Sequence, residues 1–348
     1  MAAPITLTYG ADDAGLICGY LFEPDVGTRA IDSAEAAARL AALRDNDDDS
    51  SDGLPHVGPF LWLHFDLSHT AAEPWLRRNA DLDETFFEAL QDGLHSTRIE
   101  RARQSLIAVI NDVHFDFDFE PSDIATLWIS VDRNLVVTAR RRPLRSIDEL
   151  RKAVKRGDEL GSTAELLEHL LRAQADVLVN IVRGVTTRID KIEDKLLSGR
   201  LDHKRVRLGA LRRLLVRLQR LLAPEPAALF RLLQHPPGWL IEAHAQALRQ
   251  STEEFSAVLR DMAALQERIK LLQEEIAASV NEDNGRSLYV LTIVTVLALP
   301  INIIAGLFGM NVGGVPLAEH PHGYWIVVAI VASFTSIAAA IAFRNRDR

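Results

Sequence analysis

The sequence predicts an α/β domain, then a long helical stalk, then two C-terminal membrane-spanning helices. Three observations carry this prediction. Ser287–Phe308 and Tyr324–Phe343 run for 22 and 20 residues without a charged side chain. A seven-residue apolar repeat leads into the first of these runs, with no proline between Pro237 and Pro300. Residues 1–145 alternate short β-rich runs with helical stretches, as a mixed domain does.

The two uncharged runs come first because they constrain the rest. A helix needs about 20 apolar residues to cross a hydrocarbon core ~30 Å thick, and both runs reach that length. A helix in a soluble core rarely stays apolar on every side for so long. The flanks set the orientation. Gly309–Gly323 holds no Lys or Arg, whereas Arg268, Lys270 and Arg286 precede the first run and Arg344, Arg346 and Arg348 follow the second. Positive charge stays on the cytoplasmic side. Both termini are therefore expected there, at a bacterial-type plasma (inner) membrane, with the short loop outside. Tyr289, Tyr324 and Trp325 stand near the ends of the runs, where amphipathic rings favour the interface. Met1-Ala2-Ala3-Pro4 begins no basic-then-apolar leader, so no secretory signal is expected. Two helices cannot enclose an aqueous path, so conduction would require several copies around one axis.

The stalk precedes the first run. Leu248, Phe255, Met262, Ile269 and Ile276 recur every seven residues, and Val258, Leu265 and Leu272 follow three residues after members of that set. The seam suits a helix packed within its own domain and one that associates with copies of itself equally. It turns polar at Ser279, Asp283 and Arg286, just before the first uncharged run. A continuous helix from about Ala243 to Phe308 would be ~100 Å long at 1.5 Å per residue. Pro300 need not end it, because neighbouring helices can accommodate the lost backbone bond. Two further helices are expected at Thr163–Leu197 and Lys204–Leu222, with Pro224–Pro226 and Pro236-Pro237-Gly238 as punctuation. Arg205, Arg207, Arg212, Arg213, Arg217 and Arg220 make the second helix basic, as a solvated face beside acidic neighbours or as a surface for anionic lipid or nucleic acid.

In the N-terminal part, strands are expected at Ile5–Tyr9, Phe60–Leu67, Ser105–Phe117, Ile124–Val131 and Leu135–Ala139, the last two joined by a turn at Asp132-Arg133-Asn134. Helices are expected at Ser33–Arg44, Glu73–Ala80 and Asp83–Asp92. The acidic run Asp45–Asp52 lacks the spacing of an EF-hand and reads as a solvated loop, with cation binding as its alternative. The net charge of −9 argues against a nucleic-acid partner. The single cysteine, Cys18, excludes an intrachain disulfide and is either a small buried filler or a redox thiol. No phosphate-binding glycine loop, His-Glu-x-x-His or cysteine pair is present, so the chain is not expected to be an enzyme or to carry a resident cofactor. His64 and His114 fall in expected strands and read as packing residues.

The end of the first uncharged run is more specific. Gly309-Met310-Asn311 is followed by Val312-Gly313-Gly314-Val315-Pro316, a second uncharged run and an arginine-rich tail. This arrangement resembles the CorA family of metal-ion transporters, and Val-Gly-Gly-Val-Pro resembles its zinc-transporting, ZntB-like branch. Magnesium-transporting relatives typically carry Met-Pro-Glu-Leu after the tripeptide; Val315-Pro316-Leu317 lacks that glutamate. The resemblance implies a homopentameric funnel, with a pore lined by the first span and an outer mouth at Gly309, Met310 and Asn311. There the asparagine meets the hydrated cation, a sensible filter for an ion that dehydrates reluctantly.

It divides the chain into a cytosolic α/β domain (1–145), a cytosolic helical stalk (146–286), a first span (287–308), an outer loop (309–323), a second span (324–343) and a basic tail (344–348). Helical spacing from Asn302 gives the stripe Leu288, Leu291, Thr295, Leu299, Asn302 and Gly306, which either borders the pore or, at its polar positions, binds neighbouring helices. Neither span holds an Asp, Glu, His, Lys or Arg, so no inner-sphere zinc site or proton relay is expected mid-membrane. Glu319, His320 and His322 are the candidate zinc ligands near the entrance, or ordinary loop residues. The expected cargo is zinc, with magnesium or cobalt as the alternative ion, and either metal could also act as a regulatory ligand. The expected partners are further copies of the chain and membrane lipid. A membrane-anchored sensor or scaffold without transport is the competing reading.

Overall fold

The architecture comes from a computed structural model that describes residues 10–24, 26–46, 58–91, 97–116, 118, 123–197, 204–310 and 320–344. The expected strand Ile5–Tyr9, the acidic run from 47 onward, residues 311–319 and the last four residues of the tail lie outside that description. The chain divides into two compact units, Met1–Lys270 and Leu271–Arg348.

In the first unit, the described residues form one sheet of β1 (Leu16–Glu23), β2 (Gly27–Ile31), β3 (Phe60–Asp66), β4 (Arg98–Ala102), β5 (Ser105–Val113), β6 (Ile124–Val131) and β7 (Leu135–Arg140), in the order β2-β1-β3-β7-β6-β5-β4. Neighbours are antiparallel except β3 and β7. Side chains alternate across a strand, so each strand feeds two cores. Tyr20, Trp62, Leu106, Leu127 and Val136 face one core with α4 (Arg145–Arg156), α5 (Thr163–Leu197), α7 (Pro224–Gln234) and the start of α8 (Glu242–Phe308). Leu21, Leu63, Ile107, Trp128 and Val137 face the other with α1 (Ser33–Asn46), α2 (Ala72–Asn79) and α3 (Glu84–Gln91). The remaining helix of this unit, α6 (Lys204–Leu222), buries Leu208, Leu214, Leu215 and Leu218.

The change of pattern at residue 145 marks a switch from strands to helices and not a gap between cores. Ile147, Leu150, Leu166, Leu170, Leu233 and Leu248 share a core with the sheet. The strands β1, β2 and β4 and the helices α4 and α7 were not expected from the sequence. β2 and β4 are five-residue edge strands with polar, exposed positions, the usual protection of an edge. β1 carries Gly19, where a Cβ would stand 2.9 Å from the Ile31 carbonyl oxygen, so the close approach of β2 demands glycine. α4 ends on Gly157 at φ 91, a left-handed cap. Pro224 opens α7 from its first turn instead of merely interrupting the chain. The turn at Asp132-Arg133-Asn134 forms as expected, with Asp132 Oδ1 accepting from the Asn134 and Leu135 amides at 2.8 and 2.7 Å.

The apolar seam of α8 is buried within its own chain. Leu248, Met262 and Ile269 are fully buried, and Phe255, Val258, Leu265, Leu272 and Ile276 are nearly so. Of the two uses open to it, the seam serves intrachain packing. Arg268 adds ion pairs from α8 to Asp190 (2.9 Å) and Glu193 of α5. The exposed arginines of α6, Arg207, Arg213, Arg217 and Arg220, form a solvated basic face. Cys18 packs half-buried against the core, and burial pushes its thiol up to about 11, so it is a protonated filler. His64 is buried. Its Nδ1 pairs with Thr138 Oγ1 at 2.8 Å, and its Nε2 accepts from Arg140 Nε at 3.1 Å. Burial and then the Arg140 charge hold its pKa well below the ordinary value, so the ring is a neutral packing group.

The second unit contains the C-terminal part of α8 and α9 (Gly323–Arg344). Among the described residues, α8 is the one helix long and apolar enough to cross a membrane, and the described apolar stretch of α9 is Gly323–Ile337.

Candidate ion pathway

Every position of the expected pore stripe lies on α8 and is exposed. Leu288, Leu291 and Leu299 are 64%, 62% and 58% exposed, and Thr295, Asn302 and Gly306 are also open. The less exposed positions of the same segment are Ile293, Leu297, Ala298, Pro300 and Ile304. Thr295 and Leu297 are two residues apart, as are Asn302 and Ile304. At about 100° per residue that separation is roughly 200° around the helix. The polar stripe therefore points away from Ile293, Leu297, Pro300 and Ile304, and only the small Ala298 among the less exposed positions shares its side. On α9, Val327, Val331 and Thr335 form a half-buried row at four-residue spacing. Uncharged apolar surface this open needs lipid or other copies of the chain against it.

The chemistry of the stripe follows from its hydrogen bonds. Thr295 Oγ1 donates to the Leu291 carbonyl at 2.8 Å, as Thr292 does to Leu288. A hydroxyl has one hydrogen and two lone pairs, so Thr295 keeps acceptor capacity for the water around a cation. Proline has no N–H, so Pro300, inside α8, leaves the Val296 carbonyl without its usual helical donor. This second acceptor, next to Thr295, was missed from sequence; Pro300 was its only signal.

At the outer end of α8, Gly309 N donates to the Ala305 carbonyl at 2.9 Å, and Met310 is exposed. A Cβ on Gly309 would stand 2.9 Å from that same carbonyl oxygen, so the position is closed to side chains. Asn311 and Glu319 lie outside the described residues. His320 and His322 sit just before α9 with ring centroids 6.1 Å apart. The His322 amide donates to His320 Nδ1 at 3.2 Å. That bond places the neutral ring's proton on Nε2, so zinc at Nε2 would require the proton to move and the bond to yield. His322 carries no such constraint from this bond. Tyr324 and Trp325 are exposed beside the pair, their rings 5.5 Å apart, as an interfacial anchor would be.

A long apolar helix with an uncharged polar stripe, ended by glycine and followed by a second apolar helix, has the form of a membrane-entering pair. The chain belongs to the CorA-like Mg2+ transporter protein family, whose pattern it matches over residues 58–345. It is a transporter of the divalent-cation class and not an enzyme. It is 28% identical over 322 residues to the divalent cation transporter CmaX of Pseudomonas aeruginosa, covering 92% of this chain and 93% of that one. It is 23% identical over 264 residues to the zinc transport protein ZntB of Pectobacterium atrosepticum, covering 76% and 80%. The solved full-length CmaX structure superposes with a TM-score of 0.76 at 27% identity over 95% of this chain and 99% of that one. The CorA magnesium transporter of Methanocaldococcus jannaschii shares the fold, with a TM-score of 0.71 at 18% identity over 93% and 96%.

Proposed function

We propose that the chain moves divalent cations, zinc foremost, along a path bordered by α8 from five copies arranged around one axis. The observation that carries this reading is the placement of Thr295 and Asn302, roughly 200° from the half-covered side of α8. Leu291 and Leu299 alternate with them as apolar rings that gate by dewetting. Gly309, Met310 and Asn311 form the outer mouth, where the amide meets the ion's water shell. His320 and His322 supply imidazole at the entrance, with Glu319 adding charge. Residues 1–286 and the basic tail lie in the cytoplasm, and Ser287–Phe308 and Tyr324–Phe343 span the bilayer. The charge difference between the flanks and the loop supports this orientation.

Zinc is favoured by Val312-Gly313-Gly314-Val315-Pro316 and by the imidazole pair. Magnesium is the second reading, favoured by the absence of Asp, Glu, His, Lys and Arg from the spans, which suits an ion that keeps its water. The test is uptake into liposomes holding purified protein, comparing zinc with magnesium at two pH gradients, in wild type and Asn311→Ala. Zinc uptake that the variant abolishes supports the reading. Equal uptake by both proteins removes the filter, and a monomeric mass in mild detergent removes the shared path.

A further inference from the structure

Away from the ion path, α5, α7 and β5 meet around a buried polar group. Gln174 of α5, Glu225 of α7 and Asp112 of β5 are all inaccessible to solvent. Gln174 Nε2 donates to the Asn111 backbone carbonyl at 2.8 Å and to Glu225 Oε2 at 3.2 Å. Both amide hydrogens are then in use. The other oxygen of each side chain, Gln174 Oε1 and Glu225 Oε1, has no hydrogen-bond partner among the described residues. Two acceptors cannot satisfy each other, and buried polar atoms are seldom left unpaired. One hydrogen between them would complete both.

We propose that Glu225 carries a proton on Oε1 and donates it to Gln174 Oε1. This closes a two-bond acid–amide ring that clasps α7 to α5, with the second amide hydrogen tying the ring to β5. The proton comes from solvent, and no other bond is made or broken.

The surroundings favour a proton over a metal ion. A hard dication takes six or more oxygens. Asp112 is already committed: Oδ1 accepts from the Val113 amide at 2.7 Å, and Oδ2 accepts from the Ser146 amide at 3.2 Å and from the Ser146 hydroxyl. Gln174 turns hydrogens, not lone pairs, toward Glu225 Oε2. The charged groups around the clasp are few. Asp112 repels a charge on Glu225, and Arg145 of α4 acts on Asp112; α5 offers the neutral Gln174. Burial pushes Glu225 up to about 8, the Gln174 bond opposes the rise, and Asp112 adds to it.

The sign of the pH dependence follows. The folded chain holds a proton that the unfolded chain releases above the ordinary value of 4.5, so stability falls as pH rises from there to about 8 and then levels off. Above that point the ring has lost its closing bond and a charge is buried. Because α5 also braces α8 through Asp190 and Glu193, opening the clasp slackens a helix that holds the stalk.

Infrared spectroscopy of the full-length protein in detergent tests this. Wild type should show a protonated carboxyl stretch at pH 7 that is absent from Glu225→Gln and titrates with a midpoint near 8. Wild type should also lose about fivefold in its folding equilibrium constant between pH 7 and 8, a fall that Glu225→Gln removes. Asp112, pushed up to about 6, is mostly ionised from pH 7 upward. Identical carboxyl spectra for the two proteins at pH 7 would overturn the proposal. A wild-type band that shifts on adding zinc or magnesium at fixed pH would overturn it in favour of a cation. Should Glu225→Gln fail to fold, the wild-type titration decides alone, and absence of a carboxyl midpoint between pH 7 and 9 rejects the clasp.

Discussion

At the scale of single residues, the proposed path depends on oxygen atoms whose hydrogens are spent elsewhere. Thr295 gives its hydrogen to Leu291 and keeps its lone pairs. Thr295→Val preserves shape and removes the acceptor. Uptake should fall about fivefold, the worth of one hydrogen bond of ~1 kcal/mol, with assembly unchanged. At the entrance, His322→Ala should lower zinc uptake at low metal concentration and leave magnesium uptake unchanged, because imidazole favours zinc; equal losses for both ions would remove the zinc-capture role. Thr295 and Asn302 were legible in the sequence as the polar positions at pore-stripe spacing. Which side of α8 they face was not, because a helix apolar all round has no sequence signature of its covered side. Glu225 was equally illegible. An acid just after a proline at a helix start usually reads as a solvated first-turn residue, and only tertiary packing shows it buried.

At the scale of elements, the seam of α8 decides between two uses of a heptad. Met262 and Ile269 are buried within their own chain. Ile269→Ala should therefore destabilise the protein by about 2–5 kcal/mol through a cavity, read as a lower melting temperature, while the oligomer stays intact. Dissociation to monomers without a change in melting would assign the seam to self-association instead. The pattern alone could not choose, since a helix in a bundle and a helix in a coiled coil bury the same spacing. Among strands, β3, β5, β6 and β7 were legible because central strands read as nearly unbroken apolar runs. β4 (Arg98–Ala102) reads as charged because it is an edge, and β2 starts on glycine and exposes most of its length.

At the scale of the whole molecule, the first unit is a sheet covered by helices on both faces, and the second holds apolar helical surface that its own chain covers only in part. Burial explains the first unit without partners. In the second, no residue in the apolar window of α8 is buried. In the proposed assembly, lipid would cover part of that surface and the other copies the rest, with the polar stripe left against water. Labelling tests that central claim most directly. In a Cys18→Ser background, Thr295→Cys and Asn302→Cys should react with a charged, water-borne thiol reagent in liposomes, and the reaction should block cation uptake. Leu297→Cys and Ile304→Cys should stay unreactive. Reactive cysteines at 297 and 304 beside inert ones at 295 and 302 would contradict the assigned path.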